Sequence, residues 1–227
     1  GITAAVRAAA CGRSVALITN SSRLGGLTAG GLGNTDIGNK AAIGGLARTF
    51  YQRLGQHYGT AEEWRFEPHA AEKVFHGMLA EAGITPWFRE FPCRTEMHRD
   101  RIQALHFESG LIVRAAYYLD ASYEGDLMAL AGVSHWIGRE ANDVHGELLS
   151  GVQLREQHQF EFPVDPYIRE GDPASGLLPG IWPEPLAPQG SGDKKIQAYN
   201  FRMCLTQSAD RLPFFQPDGY DPRQYEL

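Results

Sequence analysis

The stretch Arg23-Leu24-Gly25-Gly26-Leu27-Thr28-Ala29-Gly30-Gly31-Leu32-Gly33-Asn34-Thr35-Asp36-Ile37-Gly38-Asn39 decides the fold. It is too rich in glycine for the interior of a helix or strand, where each glycine destabilises by roughly 0.5–1 kcal/mol relative to alanine. Glycines packed this closely instead let backbone N–H groups crowd against something flat or anionic. What precedes the loop narrows the ligand class. Gly1 opens an apolar segment running to Ala10, with Ile2, Ala5, Val6 and Ala9 at helical spacing. Cys11-Gly12-Arg13 ends it, and Ser14-Val15-Ala16-Leu17-Ile18 reads as a short buried strand. Helix, tight turn, strand and glycine-rich loop form the second half of a dinucleotide-binding βαβ unit, and the first strand of that unit is expected to be missing.

A second motif stands downstream, Asp120-Ala121-Ser122-Tyr123-Glu124-Gly125-Asp126-Leu127, followed by Met128-Ala129-Leu130-Ala131-Gly132-Val133. Together the two motifs resemble the FAD-dependent oxidoreductase family with a glutathione-reductase-like FAD-binding fold. The likeness is to its bacterial branch, which carries Gly-Gly-Leu/Met-Thr-x-Gly-Gly-Leu-Gly and a later Asp-Ala-x-x-Glu/Asp-Gly-Asp-Leu. Two motifs in the right order are far more specific than one glycine loop. The likeness continues through Gly138-Arg139-Glu140-Ala141-Asn142 and returns weakly at Gln197-Ala198-Tyr199-Asn200-Phe201-Arg202.

The resemblance implies an α/β protein with a Rossmann-like parallel sheet of the FAD/NAD(P)-binding type. Here that sheet would carry a β-meander insertion, lack its first strand and adjoin part of a substrate region. It implies FAD as cofactor and hydride transfer between an organic small-molecule substrate and the flavin. On that reading Gly1 is the third glycine of the Gly-x-Gly-x-x-Gly fingerprint, the one that lets helix and strand pack closely. Thr19 stands where such proteins usually place an acidic residue for the ribose hydroxyls. Gly25 and Gly26 bring backbone N–H groups against the diphosphate, Arg23 supplies compensating charge, and the Thr28 hydroxyl adds a hydrogen bond. Gly30 and Gly31 pass beneath the isoalloxazine, where a Cβ would collide with the ring. Asp120 and Ala121 end a strand beside the cofactor, while Glu124 and Asp126 cap and charge the helix that follows. Asn34, Asp36 and Asn39 fall near the reactive edge, as catalytic candidates or as ordinary Asx turns.

Two other readings stay open. The chain could be a non-catalytic fragment whose cofactor site is incomplete, or a nicotinamide-dependent dehydrogenase. The glycine doublet after the second strand argues against the latter.

The remaining sequence sets bounds. A net charge of −6 with no cluster of Lys or Arg argues against nucleic acid. No apolar stretch approaches the ~18 residues that suggest a membrane span, and cytoplasmic and periplasmic locations both remain open. Cys11, Cys93 and Cys204 imply no disulfide framework and read as small buried hydrophobes. The eight histidines show no metal-ligand spacing. Helices are expected at Ala41 to Tyr58 and Glu67 to Ala82, then a meander of extended stretches at Thr85–Phe91, Arg94–His98, Ile102–Phe107 and Leu111–Arg114. Tyr117-Tyr118-Leu119 reads as a brief strand ending at Asp120, and Ile196 to Leu205 recovers strand character. The dense prolines and glycines from about Glu156 onward exclude a long helix or central strand. We therefore expect an FAD-binding domain over residues 1–154 and a loop-rich partial substrate domain over 155–227.

Overall fold

The computed structural model describes residues 1–157, 159–197 and 202–226. The described residues of Gly1–His135 and Asn200–Leu205 form one compact unit, those of Trp136–Tyr199 and Thr206–Leu227 another. His158, and the middle of the expected strand at Ile196 to Leu205, lie outside the described residues.

The first unit grows from three helices. In α1 (Ile2–Ala10) the helical period buries Ala5 and sets Ile2, Val6 and Ala9 against the core. Helix α2 (Gly45–Tyr58) starts later than the apolar stripe predicts. The Asn39 side chain accepts the Ala41 N–H at 3.0 Å and closes Lys40–Ala42 into a separate 3₁₀ turn. Gly44 and Gly45, poor helix formers, then delay the start, with Gly45 at φ +55°. Helix α3 (Pro68–Glu81) falls where predicted, entered through Pro68 and followed by Gly83 at φ +68°. Phe50 of α2 stacks on Phe75 of α3 with centroids 4.4 Å apart, and Phe66 meets Phe50 edge-on at 5.9 Å. Leu54 and Leu79 are the largest fully enclosed side chains, each stabilising by about 1.5–3 kcal/mol through burial.

The meander forms as expected for its last three stretches. Strands β1 (Pro92–His98), β2 (Arg101–Phe107) and β3 (Ile112–Val113) make an antiparallel sheet in sequential order. Arg99 takes φ +55° in the tight β1–β2 turn. Helix α4 (Asp126–Leu130) lies on this sheet, where the Thr95 hydroxyl donates to the Leu130 carbonyl at 2.6 Å.

The expected parallel sheet is different. Ser14–Ile18 runs without a regular ladder, and its parallel pairing is a single bridge, Ile18 to Trp87. Trp87 donates to the Leu17 carbonyl and accepts from the Thr19 N–H, both at 2.9 Å. Thr85–Phe91 thus bonds to the predicted strand and the residues after it through Trp87 and Glu90, and meets the meander at its end, where the Phe91 carbonyl accepts the Glu108 N–H at 3.0 Å. Tyr117–Leu119 is not a strand, and Tyr117 and Leu119 are 91% and 67% exposed. A strand needs a partner for its backbone groups, and apolar residue type alone supplies none. The cysteines also depart from expectation, since all three are exposed. Cys11 caps the end of α1, and Cys93 stands on an outward position of β1.

The second unit is loop-rich; its described residues include a short α-helix, α5 (Asn142–His145), two 3₁₀ turns at Pro173–Ser175 and Pro222–Tyr225, and buried Val152 and Leu178. Arg139 and Asp193 pair by both backbone N–H groups, at 2.9 and 3.0 Å, and by a side-chain ion pair. Hydrogen bonds from Arg139 hold the Asp193 carboxyl down at about 2, against a desolvation that raises it, with the Lys195 N–H adding to the lowering. A depressed carboxyl stabilises above its unfolded value and loses that contribution as pH falls through its folded one. Amide protection of Arg139 and Asp193 is therefore expected to weaken between pH ~4 and ~2. In Asp193→Asn the protection should not change across that window. Protection in the unsubstituted protein that is level down to pH ~2 would remove the linkage.

No helix among the described residues is long and apolar enough to cross a membrane.

Candidate functional site

The two sequence motifs meet in space. A Cβ built on Gly1, at the head of α1, would lie 3.5 Å from the Ala121 Cβ and 3.8 Å from Leu17 Cδ1. Those are ordinary contacts, so close packing there does not by itself require glycine. Two residues on from Ala121, the Tyr123 hydroxyl accepts the Leu27 N–H at 2.7 Å, and Tyr123 lies against Gly26. Two residues of chain reach at most about 7 Å. The glycine loop and the N-terminal end of α1 are therefore bracketed by the single stretch Ala121-Ser122-Tyr123.

Within the loop the two glycines of the doublet differ. Gly25 takes φ +93°, and a Cβ there would lie 2.6 Å from the Phe75 ring, which belongs to the core. Gly26 takes φ +53° and faces outward toward Tyr123. Gly26–Thr28 forms a 3₁₀ turn in which the Thr28 N–H reaches the Gly25 carbonyl at 3.1 Å. A Cβ on Gly30 would lie 2.8 Å from the Gly26 carbonyl oxygen, and one on Gly31 (φ +123°) 3.0 Å from that of Arg202. Positive φ at Gly25, Gly26 and Gly31, and the close neighbours at all four positions, demand glycine here.

Asp120 organises the second motif. One carboxylate oxygen accepts the Ser122 N–H at 2.9 Å and its hydroxyl at 2.7 Å, and the other accepts the Met128 N–H at 3.1 Å. Desolvation works to raise this carboxyl, but the bonds from Ser122, Met128 and Leu127 outweigh it and hold the group below the ordinary range. Asp120 thus satisfies an N–H in the first turn of α4, where the N-cap residue is Gly125 and has no side-chain bond to give. The cap expected of Glu124 is supplied by Asp120, while Asp126 does sit in the first helical turn.

Several predicted site residues have structural partners. Arg23 Nη1 pairs with Glu72 of α3 at 3.2 Å, which uses one of its five donors. Thr19 Oγ1 accepts the Ser21 N–H at 3.2 Å in a local turn. Asn34 pairs across to Arg65, whose Nε donates to its Oδ1 at 3.3 Å, and Asn39 closes the 3₁₀ turn at Lys40–Ala42. Asp36 is exposed on the same segment. Glu72 and Tyr123 were not singled out from the sequence. Tyr123 stood inside a quoted motif but carried no signal of what it would touch.

The donor set suits a dinucleotide diphosphate. Helix α1 has no side-chain cap at its N-terminus, so its first N–H groups and its dipole are available to an anion. Gly26 is exposed, and the room left by its missing side chain is taken by the Tyr123 hydroxyl, so an anion at this backbone would meet that hydroxyl as well.

No curated protein matches the chain. The profile of the family described as FAD dependent oxidoreductase matches residues 1–227. With that match along its length and the two motifs joined at one end of α1, the chain belongs to the FAD dependent oxidoreductase family.

Proposed function

We propose that this chain transfers hydride between an organic small-molecule substrate and FAD. The observation that carries the reading is the convergence of the α1 N-terminus and the Gly25-Gly26 loop on Ala121-Ser122-Tyr123. On this reading the first N–H groups of α1 and the backbone at Gly26 hold the diphosphate. Arg23, shared with Glu72, adds charge from its free donors, and Thr28 contributes a hydroxyl. Thr19 has its hydroxyl proton to give to a ribose oxygen. Gly30 and Gly31 close the loop against the Gly26 and Arg202 carbonyls and so shape the surface on which the isoalloxazine would rest, and Asp120 and Ala121 form the wall beside it. Of the three polar residues beyond the loop, Asp36 is the one we assign to proton handling at the substrate. Asn34 and Asn39 hold the segment that presents it. The flavin, when bound, supplies the hydride-accepting ring, while the protein supplies position and electrostatics.

The same reading assigns cofactor binding to residues 1–154, with a parallel sheet of the Rossmann type, and the substrate side to 155–227. One observation favours a second reading, in which the cofactor site is incomplete and the chain by itself inactive. The parallel pairing of Ser14–Ile18 is one bridge, and Tyr117–Leu119 stands unladdered with exposed side chains.

A single experiment separates the two. Natively purified protein is expected to be yellow and to release FAD on denaturation. Protein that is colourless, and takes up no flavin on reconstitution, supports the incomplete site and overturns the first reading.

A further inference from the structure

We infer that Tyr123 is a cofactor-binding residue whose hydroxyl donates to an oxygen of the dinucleotide diphosphate, an inference that rests on the FAD reading of the site. The hydroxyl accepts the Leu27 N–H at 2.7 Å. A phenolic O–H that accepts one bond keeps its own proton to donate. Among the described residues that proton has no acceptor, and the Tyr123 side chain is largely exposed. The amide therefore does more than tie two motifs together. It fixes the oxygen beside Gly26, an exposed position whose missing Cβ makes the room the hydroxyl occupies. Ala121, two residues away, meets the head of α1. A phosphate oxygen held by the helix N-terminus and the Gly26 backbone thus lies within the reach of a donor already oriented by Leu27.

A hydrogen bond to a charged acceptor is strong enough that its loss should weaken diphosphate binding at least about tenfold. Tyr123→Phe keeps the ring and removes only the hydroxyl. It is expected to weaken binding of FAD and of ADP by that factor and to leave riboflavin, which has no phosphate, unaffected. Flavin fluorescence quenching reads the flavins, and titration calorimetry reads ADP.

A merely structural role would also loosen the loop, so the sign of a second substitution decides. Placing 3-fluorotyrosine at position 123 makes the hydroxyl a better donor and a poorer acceptor. If the hydroxyl donates to the diphosphate, FAD binding tightens. If it serves only to accept the Leu27 N–H, binding weakens and amide exchange at Leu27 speeds up, which overturns the inference. Equal affinities for FAD in Tyr123→Phe and the unsubstituted protein overturn it too, while leaving the FAD reading intact. An unsubstituted protein that binds neither FAD nor ADP overturns both.

Discussion

Valine in place of Gly26 is expected to leave the protein folded and without flavin. Gly26 lies at φ +53°, where a β-branched residue is strained. Its Cβ would overlap the Tyr123 hydroxyl and stand 3.1 Å from Tyr123 Cζ. Tyr123 is 70% exposed, so its ring can swing away without disturbing the core. The left-handed backbone costs about 1–2 kcal/mol, and the lost Leu27–Tyr123 bond about 0.5–1.5 kcal/mol. Both fall short of the ~5–15 kcal/mol that holds a domain together. The ligand has no such escape, because the side chain fills the close approach to the backbone. Gly25 provides the contrast. A side chain there strikes Phe75, which is stacked on Phe50, and cannot be relieved without repacking the core. Gly25→Val is therefore expected to lower the melting temperature steeply, whereas Gly26→Val lowers it little and empties the site. Flavin content and thermal unfolding of the two variants check this together. Near-stoichiometric FAD in Gly26→Val would make the doublet a structural turn and nothing more.

The chain of residues 1–227 is expected to self-associate rather than run as a clean monomer. Each of its two units exposes large apolar side chains. Tyr117, Leu212 and Phe214 are 91%, 90% and 84% exposed. Around Ser14–Ile18 and Tyr117–Leu119 the exposed groups include backbone donors and acceptors without ladder partners, which template pairing with another chain. Apolar surface on this scale is the kind that marks contact with another surface. Light scattering after size-exclusion chromatography should give a mass well above 25.0 kDa, and a dye that brightens on apolar surface should bind. A monodisperse monomer that leaves the dye dark would show that this surface is covered in solution.

The sequence alone was enough for the elements whose cause is local. Helix α3 is legible because Pro68, an apolar stripe and Gly83 act within one short window. The meander is legible because Arg99-Asp100 and Ser109-Gly110 break runs that alternate in polarity. The glycine loop and the Asp120 motif were legible as patterns, and with them the family. What the tertiary structure alone decided are the contacts between segments far apart in the chain. Arg23 reads as a free cation until Glu72 of α3 is seen beside it. Asn34 reads as a site residue until Arg65 pairs with it. Tyr117–Leu119 reads as a strand from residue type, but a strand exists only where another backbone accepts its hydrogen bonds, and none of the described residues makes a ladder with it. Tyr123 is the clearest case. Its hydroxyl is common chemistry in a common residue, and only the fold sets it against Leu27, a partner ninety-six positions away in the chain.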